Sequence, residues 1–408
     1  MATTVRGTTR RSRASIILAL LLLPALSHCS TDTSTDAPES EQAGEVDGDA
    51  AEPAEPAEPA KRTRDSLAQA CEAGSAARCF DLGNMHYTGT DGPPDKALAR
   101  ESYERACTGG IAVACVNLGT MLRGGEGGAQ DVARARELYE RACDEGLADG
   151  CYALGTMLDT GQGGVADKAR AHALLEQACE QGIAGACVNL GNMLLTGAGG
   201  TQQDEIRARQ LYGQACEGGI AIGCRNLGVM FENGQGGEPD GPSARELYRK
   251  ACDAGDADGC SYLGNMFVTG AGGAQDDARA RELYGQACKG GSAVGCYNLG
   301  GKYHAGEGGP QDLAAARELF DVSCKGGYAS GCFNLATMLV TGEGGAQDEP
   351  RALEMFGQAC KGGNVVGCHN MAVMFETGRG GVLDQRRAMK LFEAACNGGY
   401  AKSCAKLQ

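Results

Sequence analysis

The sequence predicts an all-α fold, a right-handed solenoid of stacked helix pairs, and three observations carry that prediction. The chain repeats itself every 36 residues from about Ser66 onward, with one inserted residue, as the stretch from Cys107 to Cys143 illustrates. Apolar residues within each repeat recur at helical spacing, and Asp and Gly residues punctuate the repeat at fixed places. A unit of this length is too small to bury its own apolar face, so it must stack on its neighbours.

Each repeat contains two amphipathic segments, which predict two short helices. Residues spaced i, i+3, i+4 and i+7 share one face of a helix. In the second segment these are Ala135, Leu138, Tyr139 and Ala142. In the first segment the apolar face carries Ala114, Leu118, Met121 and Leu122.

The boundaries of the two helices are marked by Asp and Gly. An Asp precedes the second helix in every full repeat, where its carboxylate accepts the unpaired N–H groups of the first turn, a cap worth about 1 kcal/mol. These residues are Asp95, Asp131, Asp167, Asp204, Asp240, Asp276, Asp312, Asp348 and Asp384. A Gly-rich stretch lets the chain leave the first helix, and Gly110, Gly146, Gly182 and Gly291 end second helices in the same way.

Cysteines occur in pairs eight positions apart, and we expect each pair to form a disulfide across the short turn between one repeat and the next. Such a loop brings the two Cα atoms to about 5–6 Å, and each bridge contributes about 2–3 kcal/mol. The alternative is zinc ligation, which favours closer Cys spacing and nearby His residues. The expected bridges are Cys71–Cys79, Cys107–Cys115, Cys143–Cys151, Cys179–Cys187, Cys216–Cys224, Cys252–Cys260, Cys288–Cys296, Cys324–Cys332, Cys360–Cys368 and Cys396–Cys404.

Residues 1–29 have the pattern of a secretion signal, with arginines before an apolar run that is too short for a mature transmembrane helix. Export permits disulfides to form. Cys29 is left over among 21 cysteines and directly follows the apolar run, where a bacterial lipoprotein carries its lipidated cysteine. We expect lipidation of Cys29; the alternative is cleavage after Ser27, which leaves a free thiol.

Two further segments follow the signal. Residues 30–60 are mainly Ser, Thr, Asp, Glu, Ala and Pro with no Lys or Arg, a composition typical of a disordered, self-repelling acidic linker. Residues 61–408 form the repeat solenoid, with nine full units between terminal half units. We expect a monomer in the periplasm or outer cell envelope, in contact with a membrane only through the lipid anchor.

The repeat pattern resembles a known family. The run C-x-N-L-G-x-M, the Gly-rich loop that ends in Asp, and A-R-E-L-Y-x-x-A-C are similar to Sel1-like repeats, which are related to tetratricopeptide repeats. Cysteines eight apart in a 36-residue unit resemble the secreted, cysteine-rich Hcp branch. The resemblance implies a right-handed superhelix with one bridge per repeat that acts as an interaction scaffold, and some members of the branch are called penicillin-binding proteins or β-lactamases.

Two polar rows on the first helix are the candidate binding residues. By resemblance to tetratricopeptide grooves, they would bind the backbone of an extended peptide on the concave face. The first row comprises Asn117, Asn189, Asn226, Asn298, Asn334 and Asn370. The second row comprises Asn84, Thr120, Thr156, Asn192, Asn265 and Thr337. The alternative is that the first row joins neighbouring repeats.

Catalytic and metal-binding patterns are weak. A serine β-lactamase needs Ser-x-x-Lys with Lys-Thr-Gly and Ser-Asp-Asn elements, but the candidate Ser403 and Lys406 flank the structural Cys404 and the other elements do not occur. The histidines of the array, His86, His172, His304 and His369, fall at different places in the repeat. We therefore expect no catalytic residues, no metal and no cofactor.

The net charge of −15 argues against nucleic acid and anionic lipid surfaces as partners. The sequence favours a non-catalytic, exported scaffold that binds a protein or peptide. The alternatives are a β-lactam-binding or β-lactam-hydrolysing protein and an envelope spacer without a dedicated ligand.

Overall fold

The computed structural model describes residues 63–198, 202–381 and 383–407. The predictions for the signal segment, Cys29 and the acidic linker therefore lie outside the described residues. Throughout the described part the secondary structure is helical, and none of its helices has both the length and the apolar character required to cross a bilayer. The predicted all-helical solenoid is confirmed.

Each repeat consists of a first helix (A) followed by a second helix (B), and the described residues begin with a B helix. The B helices are α1 (Arg64–Glu72), α3 (Lys96–Thr108), α5 (Val132–Asp144), α7 (Lys168–Glu180), α9 (Glu205–Glu217), α11 (Gly241–Asp253), α13 (Asp277–Lys289), α15 (Leu313–Lys325), α17 (Glu349–Lys361) and α19 (Gln385–Asn397). The A helices are α2 (Ala76–Thr88), α4 (Ala112–Gly124), α6 (Ala148–Thr160), α8 (Ala184–Thr196), α10 (Ala221–Asn233), α12 (Ala257–Thr269), α14 (Ala293–Ala305), α16 (Ala329–Thr341), α18 (Val365–Thr377) and α20 (Ala401–Cys404). We number the repeats 1 to 9 from the α2–α3 pair to the α18–α19 pair.

The helix caps follow the sequence prediction. Every predicted Asp is the N-cap of its B helix, and its side chain accepts a backbone N–H of the first turn. Gly110 and its equivalents adopt positive φ just beyond the B helices, where a residue with a Cβ would be strained. The caps explain why the helices end so uniformly, since thirteen residues is the length of most of them.

The core lies between the A and B helices of each repeat. All eight residues of the two predicted apolar faces are buried. The A helix carries a Gly where the aromatic ring of the B helix crosses it; a Cβ at Gly119 would lie 2.8 Å from the ring of Tyr139. That Gly therefore permits the helices to approach closely enough for the ring to be enclosed.

Ten disulfides join the B helix of one repeat to the A helix of the next, as predicted from the spacing. Their Cα–Cα distances run from 4.4 Å for Cys324–Cys332 to 4.9 Å for Cys179–Cys187. The bonded sulfurs lie at the turn between repeats and are largely buried. Each bridge therefore fixes the angle at which one repeat meets the next.

A second link between repeats was not predicted. An Arg on the B helix donates a hydrogen bond to a carbonyl in the Gly-rich loop of the following repeat, as Arg136 does to Val165 at 3.0 Å and Arg317 does to Ala346 at 2.9 Å. The guanidinium of Arg245 also lies 3.7 Å from the centre of the Phe267 ring. The recurring A-R-A-R-E sequence contained this signal, but the acceptor is a backbone atom that sequence patterns do not mark.

Candidate functional site

The A helices form one continuous side of the stack, which we call the inner face. Several consecutive A helices contact each other directly, among them α10 with α12 and α12 with α14. Residues spaced i, i+4 and i+7 lie together on one helix face. Both Asn rows lie on this face, where their side chains are half-buried or exposed.

The second Asn row binds the tyrosines of the B helices. The hydroxyl of Tyr103 donates to Asn84 Oδ1 at 2.8 Å, and that of Tyr284 donates to Asn265 Oδ1 at 2.6 Å. Tyr212 donates in the same way to Asn192 at 2.6 Å. Burial raises the pKa of Tyr103 and of Tyr284 to about 12, so both hydroxyls stay protonated and act as donors at neutral pH.

The first Asn row joins neighbouring repeats. Asn189 donates to Thr156 Oγ1 of the preceding repeat at 3.3 Å, and Asn298 donates to Asn265 Oδ1 at 3.4 Å. Asn117 lies near the Tyr103 hydroxyl of the preceding repeat and acts to lower the pKa of that tyrosine. We call the two rows, with the tyrosines that bind them, the Asn–Tyr ladder. Repeats 3, 7, 8 and 9 contribute row residues but carry Leu175, Phe320, Phe356 and Phe392 in place of the tyrosine.

The donors and acceptors of the ladder that make no internal hydrogen bond face the open side of the helices. An amide has two N–H donors and an acceptor oxygen, so one internal hydrogen bond leaves part of that capacity unused. Thr120 and Thr337 each donate their hydroxyl proton to their own helix backbone, four residues earlier. The Thr120 oxygen accepts the Tyr139 hydroxyl at 3.0 Å, and the lone pairs that remain on the two threonine oxygens can accept hydrogen bonds from a ligand.

The ladder changes its partners at repeats 5 and 6. Position 229, where six repeats carry Asn or Thr and repeats 7 and 9 carry Gly301 and Val373, is Val. The hydroxyl of Tyr248 instead donates to Glu232 Oε2 at 2.7 Å. Position 262, where most repeats carry the first-row Asn, is Tyr, and its ring stacks on that of Tyr248 with 5.1 Å between centroids and 14° between planes. Tyr262 is 38% exposed although Tyr248 is buried completely.

Charged groups surround these two rings. Arg225 lies 3.0 Å from Asp258 and 3.5 Å from Asp256, whereas the carboxylate of Glu232 is exposed beside Tyr248. Burial, followed by the hydrogen bond to Glu232, raises the pKa of Tyr248 far above its usual value. We call Arg225, Glu232, Tyr248, Asp258 and Tyr262 the tyrosine cluster. The sequence analysis did not identify this cluster, although Tyr262 is visible in the sequence as a first-row position that lacks Asn.

The Ser403 and Lys406 pair is not arranged for nucleophilic chemistry. Ser403 is 0% exposed, and its hydroxyl lies 2.8 Å from Nδ1 of His369. The ammonium of Lys406 bonds to the carboxylate of Glu376 at 2.8 Å. Burial lowers the pKa of His369, with Lys402 and Lys406 acting in the same direction. These contacts hold the last helix onto repeat 9.

Histidines and carboxylates do not assemble into a metal site within the described residues: no group of three potential ligands occurs there. His304 lies 2.8 Å from Glu343, and its ring thereby links repeat 7 to the loop of repeat 8. The expectations of no metal and no cofactor stay predictions.

Comparisons with known proteins agree with this architecture. The Sel1 repeat family matches nine consecutive segments, which together span residues 79–400. A protective antigen from uropathogenic Escherichia coli strains, which displays an SLR fold, has 26% identity and a TM-score of 0.62 over 85% of this chain and 82% of its own. A Sel1 repeat protein from Oxalobacter formigenes has 25% identity and a TM-score of 0.57 over 74% of this chain and 87% of its own.

A third similar structure is cysteine-rich protein B of Helicobacter pylori, with 30% identity and a TM-score of 0.27 over 33% of this chain and 97% of its own. No curated protein sequence gave a significant match. Sel1 repeat proteins generally bind protein partners, and ten disulfides indicate an oxidising, extracytoplasmic compartment. Nine family repeats over most of its length place this chain in the Sel1 repeat family.

Proposed function

We propose that the protein is a non-catalytic scaffold that binds an extended peptide segment of a partner protein along its inner face. The observation that carries this proposal is the Asn–Tyr ladder, a row of uncharged polar groups that runs from repeat to repeat. Extended peptides expose backbone N–H and C=O groups at regular intervals, which an amide and hydroxyl series can match. The Asn positions of both rows are the proposed contacts.

The internal role of the ladder supports this proposal. Hydrogen bonds between repeats hold the Asn and Tyr side chains in place before a ligand arrives, so less conformational entropy is lost on binding. Disulfides at every repeat boundary act in the same direction, because they limit changes in the angle between repeats. A rigid inner face fits a scaffold better than it fits an enzyme that must close over its substrate.

The test is selection of binders from a random dodecapeptide library displayed on phage, followed by calorimetry of the selected peptides with the full-length oxidised protein. An inner-face variant carries Val113→Arg, Val294→Arg and Thr337→Arg. The matched control carries Leu98→Arg, Val322→Arg and Met389→Arg, three exposed positions on B helices. Both variants add the same charge, three arginines each.

We expect the inner-face variant to lose at least tenfold in affinity and the control to retain it. Selection that yields no saturable binder would count against the proposal. So would peptides whose affinity falls with the B-helix variant and not with the inner-face variant.

We further propose that residues 1–29 direct export and that a lipid on Cys29 anchors the protein to the cell envelope through the linker at 30–60, with the array of residues 61–408 as a monomer. The leftover cysteine after the apolar run supports the anchor. Cys29→Ala is expected to move the protein from the membrane fraction to the soluble fraction, and intact mass should show the acyl chains on the wild-type protein alone. An unmodified Cys29 in the mature protein would refute the anchor.

A further inference from the structure

The tyrosine cluster departs from the repeat pattern at several positions that meet at one place. Val229 replaces a ladder residue, Tyr262 replaces another, and Arg225 stands where six of the other repeats carry Val, Tyr or Phe and two carry Ser261 and His369. In neighbouring repeats these positions build the ladder or the apolar contact between repeats. Departures from a repeat pattern at positions that lie together in space are expected at functional sites more often than at positions that serve packing alone.

The apolar core also changes at this point. Buried residues form one continuous cluster from Leu67 to Met230, the first separate cluster begins at Ala244, and further clusters begin at Ala280, Ala316 and Ala372. The contacts between repeats 5 and 6 include the Arg225–Asp256 pair beside the stacked rings of Tyr248 and Tyr262. Those between repeats 6 and 7 include the hydroxyls of Ser261 and Ser292, 3.3 Å apart. Charged and hydroxyl groups therefore lie at these two boundaries, next to an aromatic pair that reaches the inner face.

The cluster presents an aromatic surface beside a negative charge. Stacking on the buried Tyr248 holds the Tyr262 ring at the inner face, where it is partly exposed. The Glu232 carboxylate accepts the Tyr248 hydroxyl with one oxygen, Oε2, and its side chain is exposed. An aromatic face attracts a cation within about 6 Å of its centre, and an adjacent carboxylate adds to that attraction.

The charge balance excludes an anion and favours a cation. Arg225 is paired with both Asp256 and Asp258, so its guanidinium is neutralised within the cluster. Within the cluster the two carboxylates of Glu232 and Asp258 outnumber the one guanidinium, and the adjacent Asp256 adds a further negative charge. The whole chain has a net charge of −15, which attracts a basic partner over a longer range.

We propose that the tyrosine cluster binds an Arg or Lys side chain of the partner peptide, with the cationic group over the Tyr262 ring and beside Glu232. This inference rests on the proposed function and adds a specificity to it: the ladder binds the peptide backbone, and the tyrosine cluster selects a basic residue. The ladder, being uncharged, is indifferent to peptide charge, so the cluster would set the register of the bound segment.

The probe is a positional-scanning library of dodecapeptides in which the central residue is fixed and the others are randomised. Pools with central Arg, Lys, citrulline, Leu and Glu are titrated against the full-length oxidised protein by fluorescence anisotropy. Citrulline retains the shape of Arg without its charge. We expect the Arg and Lys pools to bind about tenfold more tightly than the citrulline pool.

Two conservative variants locate the effect. Tyr262→Asn installs the residue that most other repeats carry at this position, and Glu232→Gln removes the charge while its amide oxygen can still accept the Tyr248 hydroxyl. Each should reduce the preference for Arg over citrulline to about twofold or less. Glu246→Gln, on the exposed side of α11, is matched to Glu232→Gln in charge and should leave the preference intact.

The outcomes separate this inference from the proposed function. If all pools bind equally and the inner-face variant abolishes binding, the scaffold stands and the basic specificity is wrong. If no peptide pool binds this protein more tightly than the same pool binds serum albumin, both the scaffold function and the basic specificity are refuted. A preference for Arg that survives Tyr262→Asn and Glu232→Gln would place the selection elsewhere and refute the role of the cluster.

Discussion

Replacing Lys302 with Met is expected to stabilise the protein. The corresponding position of other repeats carries a buried Met, such as Met266 and Met338, 1% and 2% exposed. Lys302 is itself buried, with only 8% of its side chain exposed. Its ammonium lies 2.6 Å from the carboxylates of Asp277 and Glu307, which are 32% and 56% exposed.

The magnitude follows from these exposures. Burial of an ammonium group costs several kcal/mol before its partners compensate. A pair as exposed as the one with Glu307 contributes about 0–1 kcal/mol, because water screens it. Once Lys302 is Met, Asp277 and Glu307 can be hydrated, so neither becomes a buried unpaired charge. We therefore expect Lys302→Met to raise the unfolding free energy of this region by about 1–2 kcal/mol at pH 7.

The pH dependence has a definite sign. Burial alone would lower the pKa of Lys302, but the hydrogen bonds that its ammonium donates to Asp277 and Glu307 outweigh burial, and the pKa is raised above 10.5. The hydrogen bond from Lys302 lowers the pKa of Asp277 below 3.8. The contribution of Asp277 to folding stability is thus present above pH 3.8 and is lost as pH falls through its folded pKa. The contribution of Lys302 to folding stability is lost as pH rises through the folded pKa of Lys302. The advantage of Met should therefore grow below pH 3.8.

Hydrogen exchange of peptides from α13 and α14 measures the local opening free energy, and guanidinium unfolding at pH 7 and pH 3 measures the pH effect. The matched control is Met266→Lys in repeat 6, where Gly241 and Ala271 stand in place of the two carboxylates. It should cost at least about 3 kcal/mol, because its charge would be buried without a partner. Faster exchange in Lys302→Met at pH 7 would refute the reasoning.

Three further predictions concern the fold. Asp312→Ala should cost about 1 kcal/mol by thermal unfolding, because it removes the acceptor of the Ala315 N–H at 2.9 Å; an unchanged Tm would contradict the capping role. Gly264→Ala should cost about 1–3 kcal/mol of unfolding free energy, since its Cβ would lie 2.6 Å from the Tyr284 ring. The cost should shrink in a Tyr284→Phe background, because repeat 8 already pairs Ala336 with Phe356. Equal costs in both backgrounds would show that the tyrosine hydroxyl plays no part. Reduction of the disulfides should lower the Tm strongly at every scan rate, with each bridge worth about 2–3 kcal/mol, and reduced protein that melts as the oxidised form does would refute their structural role.

Much of the fold was predictable because each repeat presents the same local signals many times. The cap at Asp131, the apolar face around Tyr139 and the Cys107–Cys115 bridge depend on residues close in sequence, and all three predictions are confirmed. The bridges are visible from spacing alone because eight positions span one tight turn.

The contacts of the inner face were less predictable. Tyr139 was expected only as part of an apolar face, yet its hydroxyl bonds to Thr120, and the equivalent Tyr103 donates to Asn84 and lies near Asn117 of the next repeat. That connection depends on the distance between two repeats, which the spacing within one repeat does not determine. Tyr262 and Lys302 were overlooked for a related reason, since attention to recurring residues hides the positions at which a repeat departs from its pattern.

The central claim is that a peptide lies on the inner face, and photo-crosslinking tests it most directly. A peptide selected by the full-length protein carries benzophenone at successive positions, and tandem mass spectrometry identifies the attached residues after irradiation. The account predicts attachment to A helices at both Asn rows, with the basic residue of the peptide next to Tyr262 on α12. Attachment confined to B helices would contradict it.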